Sequence, residues 1–541
     1  PVKLDFIQNE AIEGSQLASR GNDTVTVVFP QPLTAGQTLQ LKFTYAGAVM
    51  SDAGGGLLYV GARGTWFPNR GPAMSNFDLE FRYPPEWKLL ATGKKISEST
   101  RDGMQEIRFV SERPVPLAGF NLGRYVETPV QTAATRLEVY SARAMEADFT
   151  RSQIPPPRSP AIARPEQRRP TPPLSAPLPP LQANPDPSAN AHKVGRNAAE
   201  MIEFLTPRIG PFPFSSLSLT QLPGPNSQGW PGLVFLSSYV FLDKSERERS
   251  RFSTNEMNDW VFDHVMTEHE VAHQWWGNHV FWDSYRDQWI MEALANYSAL
   301  LKLEQDDPEL FYRILEQYRD DLLDAPEGAN TRPFREAGPV RLGGRLNSSR
   351  FTGAYDPVIY GRGTWLIHML RELLKDTAAS ARQRPRPGAA APPPRDPDAL
   401  FYSVLRGIQT RYAGKKVSTR DLLTAFERAL PPTAAFENRK SLDWFYDGWI
   451  NGNAIPALKL ENVRITPSGA RTVASGVIVQ ADAPDLLVTS VPIYAAGSGK
   501  EPPVLIGRVF ADGERTEFRL AAPAGTKRIL LDPFRAVLRQ P

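Results

Sequence analysis

His269-Glu270-Val271-Ala272-His273, followed after residues 274–291 by Glu292 in Trp289-Ile290-Met291-Glu292-Ala293-Leu294-Ala295-Asn296-Tyr297, is the stretch that decides how this chain reads. If the first segment is helical, residues four apart fall on one face, because the helix turns once every 3.6 residues. His269 and His273 then offer two imidazoles to one ion. A catalytic zinc usually takes three protein ligands and leaves its fourth position to water. A third ligand therefore has to come from elsewhere, and Glu292 is the candidate. Trp275, Trp276, Gly277, Asn278, Asp283 and Ser284 form a breaker-rich connection before a second helical pattern, which allows the carboxylate to return to the ion. Glu270 lies about 100° round the helix from the first ligand and faces the water rather than the metal, the place of a general base. One Zn2+ per chain is the cofactor expected.

The chain holds six histidines, and a chance HExxH is expected in roughly a few per thousand sequences of such composition. The competing reading is a polar, Trp-rich amphipathic helix whose histidines cap or pack. His192, His264, His279 and His368 lack the spacing and read as structural or surface residues.

At 541 residues the chain exceeds one comfortable hydrophobic core, so several domains are expected. A formal net charge of +3 gives no concentrated basic face for nucleic acid. No apolar run approaches the length of a bilayer span, and no charged-then-apolar signal opens the sequence. With no cysteine at all, disulfides, thiolate metal sites and cysteine nucleophiles are excluded, leaving histidine and carboxylate as ligands. The absence suits a reducing cytoplasm or an exported protein; the expectation is extracytoplasmic. The chain opens with Pro1, inside what reads as an N-terminal β domain.

Residues 1–130 alternate apolar and polar side chains, as in Thr24-Val25-Thr26-Val27-Val28-Phe29 and Leu39-Gln40-Leu41-Lys42-Phe43-Thr44-Tyr45, the signature of half-buried strands. Within residues 131–455, read as the catalytic domain, helical period prevails from about 195 onward, for example from Asn197 to Leu205 and from Thr364 to Leu374. Two Pro-rich inserts, near 154–188 and 382–397, interrupt this part. Proline at that density supports neither helix nor central strand. They read as solvated, partly polyproline loops, with a docking role as interaction segments the alternative. From 456 to 541 short strands return, among them Thr472 to Val479, Leu487 to Tyr494 and Arg528 to Asp532, the pattern of a small β-sandwich.

The run from His269 through Gln274-Trp275-Trp276-Gly277-Asn278, with Trp289-Ile290-Met291-Glu292-Ala293, resembles the gluzincin aminopeptidases, the family of aminopeptidase N and leukotriene hydrolase. Tyr360-Gly361-Arg362-Gly363 is similar to the family's Tyr-x-Lys-Gly block, Leu442 to Trp449 to its aromatic block, and Phe77 to Phe81 with Pro84 to Lys88 and Ala91 to Gly93 to its N-terminal domain. The resemblance covers nearly the whole chain. It implies an N-terminal saddle-like β domain, a mainly helical, thermolysin-like catalytic domain and a small C-terminal β-sandwich, without the large helical C-terminal domain of many relatives. It also implies zinc on His269, His273 and Glu292, catalysis by Glu270 and Tyr360, and peptide or protein substrates. Tyr360 would hydrogen-bond the tetrahedral intermediate; the alternative is a core tyrosine bound to a backbone carbonyl.

Two departures from the family stand out. Its exopeptidases carry Gly-x-Met-Glu-Asn, whose glutamate holds the substrate's free α-amine. Here the segment is Asn226-Ser227-Gln228-Gly229-Trp230-Pro231-Gly232-Leu233, and alignment on Gly232-Leu233 sets Gly229 at the glutamate's place. The second amine contact should fall shortly before Phe67-Pro68, where only Gly61-Ala62-Arg63-Gly64-Thr65-Trp66 stands. A buried ammonium needs a paired carboxylate to offset its desolvation, so losing both anchors alters selection for a free N-terminus. Gly229, Trp230 and Gly232 are expected to edge the substrate cleft, with plain core burial the alternative for Trp230. Asn296 is expected to support Glu292 from one turn along the same helix. Tyr355 lines the site or packs, and Arg362, where the family has lysine, pairs structurally. The function expected is zinc-dependent peptide hydrolysis, exopeptidase or endopeptidase, with altered specificity. The alternative is a non-catalytic zinc-binding scaffold on the same fold.

Overall fold

The computed structural model describes residues 3–6, 25–28, 31–43, 50–60, 66–69, 73–133, 135–146, 185–248, 256–325, 332–380, 396–468, 471–499 and 501–541. The Pro-rich inserts fall almost wholly outside these residues, as do residues 61–65 of the second expected amine contact. Strands make up the N-terminal region, helices the middle and strands again the C-terminal part. By contact the chain forms two compact units, Pro1–Ala199 with Phe214–Thr267 and Glu200–Pro213 with Glu268–Pro541.

In the first unit Lys3–Phe6 and Val25–Val28 pair antiparallel, as their alternation predicts. Leu39 to Phe43 alternate equally well but lie in no strand. Leu39 and Leu41 are both exposed there, and an alternating pattern with no core to bury against carries little drive to pair. Further on, a four-stranded and a three-stranded antiparallel sheet share a core of Tyr83, Leu89, Ile107, Phe109, Phe120 and Leu122. A mixed five-stranded sheet follows, built from β1 (Val126–Val130), β2 (Arg136–Ser141), β3 (Ser216–Leu222), β4 (Gln228–Trp230) and β5 (Leu233–Ser237) in the order β1-β2-β3-β5-β4. β2, β3 and β5 run parallel. The crossover from β2 to β3 includes helix α1 (Ala191–Ile209), as parallel neighbours require a long return. β5 is buried along its whole length, as expected of a parallel strand covered on both faces.

The second unit takes in the end of α1 from Glu200 and resumes at Glu268 within α2 (Met266–Ala272). It continues through α3 (Trp289–Asp306), α4 (Pro308–Leu323), a π-helical segment Pro357–Arg362, α5 (Gly363–Ser380), α6 (Ala399–Arg411) and α7 (Thr419–Ala429). α3 is buried on every side over its first thirteen residues, Trp289 to Leu301. A helix apolar all round is a core helix, and the only carboxylate in that stretch, Glu292, needs a counter-charge there. The unit closes with two three-stranded antiparallel sheets, one of β6 (Ala457–Ser468), β7 (Arg471–Ala481) and β10 (Arg515–Ala522), the other of β8 (Thr489–Ala496), β9 (Val504–Ala511) and β11 (Arg528–Leu531). Both contribute to one core, through Ile478 and Phe518 from the first sheet and Val491, Ile493, Val509 and Ala511 from the second. The aromatic block ties the helices to these strands: Trp444 meets Phe510 edge to face at 5.5 Å, and Trp449 Nε1 donates to the carbonyl of Val488 at 2.8 Å. Among the described residues no helix is long and apolar enough to cross a membrane.

Candidate metal centre

His269 lies in α2, and the hydrogen bond from His273 N–H to the His269 carbonyl, 3.1 Å, carries the helical turn one step past its end. The two imidazoles therefore share a face, their ring centroids 4.5 Å apart and nearly perpendicular. The chain must then reverse at once, and it does so at Gly277, whose φ of +113° is one that side-chain-bearing residues rarely adopt. Gly277 N–H donates to Val280 O at 2.7 Å and Asn278 N–H to His273 O at 3.1 Å. Trp275 and Trp276 are fully buried beside this turn, and Trp276 Nε1 donates to Ser298 Oγ on α3 at 3.2 Å. The return path runs through the short strand Val280–Trp282, paired with Lys415–Val417.

Asp287 then aims the chain into α3. One carboxylate oxygen accepts from the Ser284 backbone N–H and hydroxyl, 3.2 and 2.6 Å. The other accepts from Thr419 N–H and Oγ1 at the start of α7, both 2.8 Å. This buried staple was not singled out in the sequence; the Ser-x-x-Asp spacing ahead of a helix is the signal that marks it.

These connections bring His269, His273 and Glu292 together, all buried, with one donor atom of each within 4.8 Å of the others. Glu292 Oε2 lies 3.2 Å from His273 Nε2 and 3.6 Å from His269 Nε2. It satisfies hydrogen-bond geometry to neither. Two ligands about 2.1 Å from an ion at a tetrahedral angle stand roughly 3.4 Å apart, so the spacing is that of lone pairs aimed at a common point. On the far side of its ring, His273 Nδ1 is 2.8 Å from the carbonyl of Trp276. A carbonyl only accepts, so Nδ1 carries the hydrogen and Nε2 keeps its lone pair for a metal. Burial disfavours charge on His273, yet Glu292 and Glu270 override it and raise its proton affinity. Burial likewise opposes ionisation of Glu292, and the positive charge of His273 overrides that, holding the carboxyl well below its ordinary range. A buried cluster that draws positive charge this strongly, with two nitrogens and one oxygen as donors, fits zinc.

Glu270 is buried beside the ligands, close enough for its charge to act on His273. Tyr360 reaches the site from the π-helical segment; its ring centroid is 5.5 Å from that of His269. Two glycines let this segment approach. A Cβ on Gly363 would stand 3.0 Å from Ala293 Cβ, next to Glu292, and one on Gly361 would stand 3.4 Å from Tyr318 Cβ. Single π-helical turns are rare and recur at functional sites.

Asn296 does not support Glu292 as expected. Its Nδ2 donates to Tyr318 Oη at 3.1 Å and Thr364 Oγ1 at 2.9 Å, because its side chain turns to the helices packed on α3. It thereby fastens α3 to the start of α5, just past Tyr360. Tyr355 is half-buried with its ring 6.2 Å from that of Tyr360. Arg362 is fully buried and donates to the carbonyls of Trp449, Asn453 and Ala454. With no carboxylate at hand, burial pulls its pKa down to about 10.

Gly229, Trp230 and Gly232 belong to the first unit. Gly229 and Trp230 lie on β4, the outermost strand of the five-stranded sheet, and Gly232 turns the chain into β5 with φ +67°. Trp230 has no exposed surface and packs among Leu90, Tyr140, Leu222 and Phe235. A Cβ on Gly119 would overlap its ring. Its side chain is core, the alternative reading, since an indole this enclosed presents nothing to a cleft.

Residues 229–380 match the peptidase family M1 domain. Aminopeptidase N of Lactococcus lactis subsp. lactis is 24% identical over 261 residues, 47% of this chain and 25% of that protein. Endoplasmic reticulum aminopeptidase 2 of Homo sapiens is 23% identical over 196 residues, 36% of this chain and 19% of that protein. The chain thus spans a quarter or less of the length of these relatives. Among solved structures, a mutant M1 zinc metallopeptidase from Deinococcus radiodurans is similar at 21% identity, with a TM-score of 0.49 and 80% of each chain covered. The metal-binding triad, the buried glutamate beside it and the tyrosine segment all lie inside the stretch that matches the peptidase family M1 domain, which supports the likeness of this part of the chain to the gluzincin aminopeptidases.

Proposed function

We propose that this chain hydrolyses peptide bonds as a zinc metallopeptidase, with a specificity that does not use the family's two amine anchors. The observation that carries this reading is the buried convergence of His269, His273 and Glu292, with Glu270 and Tyr360 beside it. Zinc held there would supply Lewis acidity and lower the pKa of a bound water towards neutrality. Glu270 accepts the proton of the attacking water and hands it to the leaving amine, so one carboxylate serves as base and then as acid. The Tyr360 hydroxyl donates to the oxyanion as the carbonyl becomes tetrahedral, a contribution of a few kcal/mol for one aimed donor. Asp287, Gly277 and the Trp276 carbonyl keep the ligands in place and touch no substrate.

The altered specificity rests on the side chain missing at Gly229 on β4 and on the lack of a carboxylate in residues 61–66. We retain the division into an N-terminal saddle-like β domain (1–130), a thermolysin-like catalytic domain (131–455) and a C-terminal β-sandwich (456–541) as part of the proposal.

Matched peptides with free or acetylated N-termini, incubated with zinc-loaded protein and followed by mass spectrometry, test this directly. Cleavage should proceed on at least one set and fall by 10³-fold or more, as an order of magnitude for a lost general base and positioned water, in Glu270→Gln with zinc content unchanged. Unchanged cleavage in that variant, or none in the parent, would sink the reading and favour a zinc-binding scaffold. Strictly stepwise removal from free termini alone would overturn the altered specificity and leave the hydrolysis standing.

A further inference from the structure

Asp356 stands at the N-cap of the π-helical segment, four residues before Tyr360. In a π-turn, residues four to five apart share a face, and Tyr360 on that face looks towards the ring of His269. Asp356 is solvent-accessible, does not cap its own helix, and among the described residues makes no hydrogen bond or ion pair. It stands outside the metal-binding triad. The surrounding protein and the negative charge of Glu292 both oppose its ionisation, and among the described residues no cation offsets them. An accessible carboxylate on the face that carries Tyr360 to the metal-binding triad, with no positive partner among the described residues, is an arrangement that a cationic ligand completes.

Resting on the peptidase reading of the same site, we infer that Asp356 determines substrate charge: its carboxylate receives an ammonium group of the bound peptide. The ammonium has two sources, the free α-amine and a lysine side chain, and the family's own amine anchors are missing at Gly229 and in residues 61–66. The role is one of binding, and the group takes no part in the proton transfers assigned to Glu270.

Affinity is read by calorimetry on zinc-loaded Glu270→Gln protein, which needs no turnover. Four peptides cross a free or acetylated N-terminus with lysine or norleucine at the same position. Removing the ammonium that Asp356 holds should weaken binding roughly tenfold, the scale of one charge-assisted hydrogen bond. Loss on acetylation assigns the α-amine, and loss on the norleucine exchange assigns the side chain. Adding Asp356→Asn should shrink the difference to within about twofold, while Asp356→Glu, which keeps the charge, should preserve the preference. Zinc content and melting temperature of each variant establish that the site is intact. Indifference to both ammonium groups, a preference that survives Asp356→Asn, or equal loss for all four peptides overturns the inference. Failure of the peptidase reading shows elsewhere, as cleavage that does not depend on Glu270.

Discussion

The hydrogen of one imidazole nitrogen decides whether the centre can bind a metal at all. His273 exposes a lone pair at Nε2 because Nδ1 is committed to the Trp276 carbonyl, and that carbonyl is placed by the tight turn at Gly277. A Cβ at Gly277 would come within 3.3 Å of His273 Nδ1, in a backbone conformation that strains any L side chain. Gly277→Ala should lower zinc affinity roughly 10- to 100-fold, the usual effect of losing a ligand's orienting partner; competition against a chromophoric chelator measures it. Tyr360→Phe removes only a hydroxyl, and kcat should fall roughly 10²-fold with little change in KM. Equal KM and kcat effects in a steady-state comparison would speak for a packing role instead. His269, Glu270 and His273 were legible in the sequence because helical turns dictate their spacing, whereas Glu292 was read from a second helical pattern and Tyr360 from the resemblance to the family's tyrosine block. Asp356 was not, since a lone aspartate before a proline looks like any loop residue until its neighbours are known.

Helix against helix, the site depends on how closely α5 approaches α3. Gly363 against Ala293 and the Asn296 bridge to Thr364 set that distance. A turn further along α5, His368 completes a buried chain of hydrogen bonds. Arg371 donates to Tyr297 Oη at 3.1 Å, Tyr297 Oη–H donates to His368 Nδ1 at 2.8 Å, and Nε2–H donates to the Arg535 carbonyl at 3.0 Å. Burial lowers the His368 pKa to about 4, against Glu372, whose charge opposes the drop. An unfolded histidine titrates near 6.5. Because the folded pKa is the lower one, the contribution is present above pH 6.5 and is lost as pH falls through about 4. At most it amounts to about 3 kcal/mol. His368→Gln keeps a donor and an acceptor without titrating, so thermal melts from pH 7 to pH 4 should show a smaller decline than in the parent; parallel declines would rule the histidine out as the cause. The sequence marked His368 only as lying outside the metal motif, for its hydrogen-bond partners, Tyr297 and Arg535, come from two distant segments.

At the level of the whole molecule, the metal ligands all belong to the second unit, so the ion should stabilise that unit in particular. A ligand that binds only the folded state adds about 2.7 kcal/mol when present at a hundred times its Kd. Chelation should therefore lower the melting temperature by several degrees and speed hydrogen exchange in residues 266–306. Strands of the first unit, such as β3 and β5 with their fully packed core, should exchange as before. Uniform acceleration across both units would contradict this. By itself the sequence indicated most element types and singled out the three residues that the structure gathers into one group, because helical period, strand alternation and motif spacing are local properties of the chain. It misjudged Leu39 to Phe43 and Asn296, where the outcome depends on what lies opposite. Only the tertiary structure decided that Trp230 is core, that Arg362 caps backbone carbonyls, that Asp287 pins α3, and that Asp356 stands accessible at the head of the Tyr360 segment with no ion-pair partner among the described residues. Each of those follows from contacts between residues far apart in sequence, which no local pattern encodes.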